Sequence, residues 1–376
     1  MFWLKNRVKV DDYNRWLLFL RLLPDMHSLL PRYMAYDIIG ITIRGAKMTR
    51  KIAKYLLIIL ILSIALTACT PADEPIKKPV IAVSMISETH NWPIGVLYYA
   101  EQEVKAVASE NDWDYKLMVG ADANEQSNQV IELVNEGVDC IIMLPMDGAS
   151  LKTAAMAVQK ADIPLVIFDR EIPDFAPTST VKGDNTGIGT MTADIFNGLF
   201  PDGTKVLELM GDTSTVPQQR TDGYDEKINP QFIKEQVGYT GWQREDSQKL
   251  LTDWVDTHTQ EDMDKVGAIF THDDEIALGV LDALRTYNNN PENIKKFNNL
   301  KVIAGSAGDK EMYYEIMNED EYTLFSLTYR PDMIKQAIRT GEKIIKDEEY
   351  EEMDIIPTFE VNKRNVDKYY DENAPY

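Results

Sequence analysis

From Pro79 onward, short runs of β-branched and aliphatic residues alternate with longer stretches in which apolar residues recur every three or four positions. The short runs predict strands over residues 80–84, 115–119, 140–144, 165–168, 205–210, 268–271, 301–305 and 324–328. The longer stretches predict helices, among them 94–109, 128–135 and 274–287, the last carrying Ile276, Leu278, Val280 and Leu284 on one face. Regular strand-helix alternation specifies a parallel α/β architecture, because neighbouring parallel strands need a crossover long enough to hold a helix. Ligands of such sheets collect beyond the carboxyl ends of the strands. The polar residues to interrogate are therefore 87–92, Asp169 with Arg170, 211–220, and His272 with Asp273 and Asp274.

A different pattern precedes Pro79. Arg50, Lys51 and Lys54 lead into an apolar run over 56–66, and the sequence LTAC closes at Cys69. A bilayer span takes about 20 residues, so this run of 11 is short for one. A basic start, a short apolar stretch and small residues before a cysteine instead match an export signal. The pattern resembles the lipobox of bacterial lipoproteins, which implies cleavage before Cys69, lipid on its sulfur and anchorage at the outer face of the cell membrane. Residues 70–78, polar with two prolines, read as a tether. Residues 48–68 are then the signal peptide, and residues 1–47 an extension from an upstream start; a membrane-associated arm around the apolar 16–23 is the alternative.

Charge divides the chain at the same place. Residues 1–69 carry a net charge of +7, whereas the remainder holds 28 basic against 57 acidic groups. So acidic a surface repels phosphate backbones and argues against nucleic-acid binding. Apart from Cys69 there is one cysteine, Cys140, within an apolar run that predicts a buried thiol. The four histidines lack metal-ligand spacing, and no phosphate loop or nucleophile elbow is present, so no catalytic residue, metal or cofactor is expected.

The candidate residues suit a polyhydroxylated ligand. Ionised Asp accepts hydrogen bonds from hydroxyls, Arg donates through a planar fork, and an aromatic covers the C–H face of a sugar ring. The stretches VNEGVDCIIMLP (134–145), IPLVIFDR (163–170), GDN (183–185), RTDGY (220–224) and IFTHDDEIALG (269–279) together resemble the ribose-type periplasmic sugar-binding proteins, the type I solute receptors of ABC importers.

The resemblance covers residues 80–362 and implies two Rossmann-like lobes, each on a parallel sheet, joined by three crossovers near 183–184, 329–330 and 355. The N-terminal lobe would comprise 79–183 with 330–354, and the C-terminal lobe 184–329 with 355–376. It implies ligand contacts by Asn91 and Trp92 in the loop after the first strand, by Asp169, Arg170 and Arg220, by Trp242 as a stacking aromatic, by Asp273, and by Tyr329 where the family has a glutamine. One departure is Ala307, where the family often has a sugar-binding aspartate, with Ser306 or Asp309 as substitutes. Implied partners are a sugar or polyol and an importer permease or, alternatively, a membrane sensor kinase or chemoreceptor. Replacing Asp169 or Arg220 by Ala is expected to abolish binding and leave the fold largely intact.

Overall fold

The computed structural model describes residues 77–87, 91–290, 295–374 and 376. Cys69, the apolar run before it and His90 lie outside these. The described chain builds two six-stranded sheets.

In the first lobe, strands β1 (Val80–Ile86), β2 (Asp114–Gly120), β3 (Cys140–Met143), β4 (Leu165–Phe168) and β5 (Ser179–Gly183) alternate with helices α1 (Asn91–Asn111), α2 (Ala123–Glu136) and α3 (Gly148–Lys160). Two elements join from far along the chain, α10 (Ile334–Ile345) and β11 (Met353–Ile356). The order β11-β5-β4-β3-β1-β2 is parallel throughout.

The second lobe holds β6 (Lys205–Met210), β7 (Ile233–Tyr239), β8 (Val266–Thr271), β9 (Val302–Ala307), β10 (Thr323–Thr328) and β12 (Glu360–Asn362). Its helices are α4 (Asn185–Leu199), α5 (Thr215–Lys227), α6 (Arg244–Thr257), α7 (Gln260–Asp264), α8 (Asp274–Asn289) and α9 (Lys310–Asn318). The order is β12-β10-β9-β8-β6-β7, with only β12 antiparallel.

Central strands β3, β4, β8 and β9 are buried along their whole length, as expected where helices cover both faces of a parallel sheet. Edge strands β2 and β7 are partly exposed and carry Lys with Asp or Glu, which blunts an edge against pairing with another chain. Helix entry is fixed by acids: Asp122, Asp147, Asp184, Asp273 and Asp309 each accept a backbone N–H of the following first turn.

The chain crosses between lobes three times, after Gly183, after Thr328 and between β11 and β12. The third crossing corrects the sequence expectation. Ile355 and Ile356 pair with Lys182 and Gly183 in the first sheet, so the boundary falls after residue 356 and not at 355. A second correction concerns Asn91 and Trp92, which form the first turn of α1 and not a preceding loop; Pro93, lacking an N–H, is well suited to that turn. Cys140 is fully buried, as expected, and burial pushes its thiol up to about 12.

Candidate functional site

The carboxyl ends of both sheets meet around a cavity lined by Trp92, Asp169, Arg170, Val216, Arg220, Trp242, Asp273, Ser306, Ala307 and Tyr329. Its volume is about 30 Å³, room for a water molecule and not for a sugar. The lobes are thus nearly shut on it, and a sugar-sized molecule enters only if they part.

Seven of the eight residues expected from sequence to contact ligand line this cavity. Asn91 does not. Its side-chain Nδ2 donates to Asp309 Oδ2 at 2.8 Å, and it lines a neighbouring surface groove with Trp242 and Glu275. Val216, absent from the sequence reading, was hidden because an aliphatic residue in a helix start carries no chemical signature. Of the two substitutes for the missing aspartate at 307, Ser306 lines the cavity, whereas Asp309 caps α9 and accepts from Asn91.

Asp169 follows β4 directly and sits at φ 66°, in the left-handed region. A non-glycine residue held there costs free energy that the surroundings must offset. Its backbone N–H donates to Val181 O at 3.0 Å, which fixes the turn. Tyr329 Oη donates to Asp169 Oδ1, and Arg170 Nε stands 3.8 Å from Asp169 Oδ2. Burial raises the Asp169 carboxyl above its ordinary value, against the pull of Arg170 and Tyr329.

A continuous polar chain crosses the hinge from this acid. Tyr329 Oη also accepts from Asn185 Nδ2 at 3.2 Å. Asn185 Oδ1 in turn accepts from Arg220 Nε at 3.0 Å. Arg220 Nη1 donates to Ser306 Oγ at 2.9 Å and to the His272 carbonyl. Its guanidinium lies 4.7 Å from the Tyr329 ring centre and 5.8 Å from that of Trp242. A planar cation held by both its fork and its faces is oriented before any ligand arrives.

On the opposite wall, Asp273 Oδ1 caps α8 by accepting from Glu275 N at 2.7 Å and Ile276 N at 3.3 Å. The residue is 5% exposed. Burial, with Asp274 and Glu275 beside it, pushes its carboxyl well above the ordinary range despite Arg220. Arg170 spans the lobes, with Nη1 on Met146 O at 2.7 Å and Nη2 3.5 Å from Asp212 Oδ2. Its buried Nε lacks a hydrogen-bond partner, a donor that a ligand oxygen would satisfy. Trp92 is locked by its Nε1, which donates to Tyr329 O at 2.7 Å, and by stacking on Phe168 with ring centres 6.1 Å apart. Trp242, at φ 65°, covers the second-lobe side.

Among the described residues no group of His, Cys, Asp or Glu is arranged to hold a metal ion, and no helix is long and apolar enough to cross a membrane.

Two opposed α/β lobes closing on a polar, aromatic-walled cavity define a solute-receptor class of protein. Residues 81–349 match the family described as periplasmic binding protein domain. The chain belongs to that family. The ribose import binding protein of Bacillus subtilis (strain 168) is 25% identical over 230 residues, spanning 60% of this chain and 68% of that protein. The ribose import binding protein of Escherichia coli is 22% identical over 298 residues, covering 77% and 92% respectively. Among solved structures, an ABC transporter solute binding protein from Mycobacterium smegmatis with bound glycerol superposes with a TM-score of 0.68 at 21% identity, over 79% of this chain and 98% of that one. One from Bacillus halodurans with bound myo-inositol gives 0.67 at 21% identity, over 78% and 97%. As a member of the periplasmic binding protein family, the chain is a solute-binding protein and not an enzyme.

Proposed function

We propose that this protein binds a monosaccharide or related polyol in the cavity between its lobes and hands it to an ABC importer. The observation that carries the reading is the convergence of two buried carboxylates, two guanidinium groups and two indole rings on one cavity. That set complements hydroxyls and C–H faces together. The names of the relatives support the class: ribose, xylitol and rhizopine binding proteins are among them, and structural neighbours hold myo-inositol and D-allose.

The ligand contacts in this reading are Trp92, Asp169, Arg170, Arg220, Trp242, Asp273 and Tyr329. Asp169 and Asp273 accept from hydroxyls, the two arginines donate, and the indoles sandwich the ring. Ala307 leaves room and no acceptor at its wall, which favours a ligand other than ribose itself. Because the walls belong to both lobes, a bound molecule favours the closed arrangement, and the mechanism is a shift of population without bond making.

Export and lipidation at Cys69 complete the proposal, placing the receptor on a tether outside the cell membrane beside its permease. A sensory role is the second reading, favoured by one structural neighbour that is the fructose binding periplasmic domain of a hybrid two component system. Calorimetric titration with pentoses, hexoses, xylitol and myo-inositol tests the ligand class; no heat with any of them would overturn it. Labelling with radioactive palmitate tests the anchor, with Cys69→Ala expected to lose both label and membrane association.

A further inference from the structure

Asn91 lies at the carboxyl end of the first sheet, yet its side chain serves the other lobe. Asp309 is 3% exposed and held rigidly: Oδ1 accepts from Glu311 N at 2.7 Å and Met312 N at 3.3 Å, and its own N–H donates to Asp274 Oδ2 at 3.0 Å. Its Oδ2 is left for Asn91, at 2.8 Å. Glu275 lines the same groove as this amide, and its carboxyl is pushed up to about 7 by burial first and by Asp309 next. A primary amide carries N–H donors and no charge, so it can serve a carboxylate in this crowded acidic corner without a titrating partner. Opening the lobes would withdraw that donor.

Asn91 is absent from the cavity wall. Among the described residues, other polar bridges between lobes near the cleft run through Arg170, Trp92, Asp169 and Tyr329, all cavity residues, and through Glu171 with Gln219 Nε2 at 3.0 Å. We propose that Asn91 is a closure latch, fastening the first lobe to Asp309 of the second outside the ligand cavity and thereby setting the open-to-closed ratio. This rests on the reading of the chain as a receptor that closes on its ligand. A latch differs from a ligand contact in one measurable respect. It scales the affinity for every ligand by the same factor, since apparent affinity follows the fraction of competent, closed protein.

The test uses the full chain carrying Asn91→Ala or Asn91→Asp. Calorimetry against every sugar or polyol that the wild type binds should show a uniform loss of about tenfold for the alanine variant, the factor one charge-assisted hydrogen bond commands. Asn91→Asp, which sets a third carboxylate against two, should lose more. The order of ligands should stay the same in both. A changed order would overturn the latch by making Asn91 a ligand contact, and unchanged dissociation constants would overturn it outright. Should the wild type bind none of the panel, the sugar reading falls, and ligand-free hydrogen exchange decides the latch by itself. Faster exchange over residues 92–96 and 305–312 in Asn91→Asp supports it, and identical exchange refutes it.

Discussion

Replacing Arg220 by Ala separates binding from stability in a way the sequence alone misjudges. Reading Arg220 as a ligand contact predicts lost binding on an intact fold. The structure adds a stability cost, because the side chain is buried and central to the polar chain across the hinge. Its removal deprives Asn185 Oδ1 of its donor, takes a cation from between the Tyr329 and Trp242 rings, and leaves the buried Asp169 and Asp273 carboxylates with less compensating charge. Breaking a buried ionic set by deleting one partner costs about 3–5 kcal/mol, roughly a fifth or more of a typical domain's stability.

The loss should also depend on pH with a defined sign. Asp169 and Asp273 already have raised folded-state values, from burial first. Removing the cation raises them further. Between the ordinary carboxylate value of 3.8 and the raised one, the folded state binds more protons than the unfolded state, so stability falls as pH rises. The cost of Arg220→Ala is therefore smallest near pH 4 and grows toward neutrality. Urea denaturation of the ligand-free protein, followed by tryptophan fluorescence at about pH 4.5 and 7.5, measures it. A loss below about 1 kcal/mol, or an equal loss at both pH values, would refute the argument.

The wild-type protein should itself be most stable on the acid side of neutrality. Burial raises Asp274 and Glu275 to about 7, so their contribution is full below the carboxylate range and lost as pH rises toward 7. Glu208 and Glu342 are held at about 2 by their partners against burial, and their contribution disappears only as pH falls through that value. Thermal melts across pH 3–8 should peak at about pH 4–5, and a peak at or above pH 7 would contradict these assignments. Gly211→Ala should weaken ligand binding, because its Cβ would overlap the Trp242 ring; overpacking of that kind costs about 1–3 kcal/mol, and titration calorimetry reads it. Cys140 should resist iodoacetamide in the folded protein and react on denaturation, with mass spectrometry of its peptide as the readout; ready alkylation without denaturant would mean that the first sheet opens locally.

Much of the fold was legible in the sequence because its central strands are local objects. The runs over 165–168 and 205–210 coincide with β4 and β6, since a strand covered on both faces is mostly apolar, with Glu208 the buried exception in β6. Strands β5, β7, β11 and β12 escaped that reading. The sequence IKEQVGY of β7 alternates with charges at an edge, and β11 is four residues whose membership depends on Thr180 to Gly183, over 170 residues earlier. The candidate site divides in the same way.

Residue types at strand ends determined by themselves that Asp169, Arg170, Arg220 and Asp273 were available for hydrogen bonding with a polyol, because side-chain chemistry and chain position are properties of the sequence. Only the tertiary structure decided what those groups are committed to. It spends Asp309 on a helix cap and on Asn91, joins Asp169 to Arg220 through Tyr329 and Asn185, and turns Asn91 away from the cavity. Apart from the local cap, each of these is a pairing between residues far apart in the chain, and a hydrogen bond is fixed by distance and direction in space, which no local pattern of residues encodes.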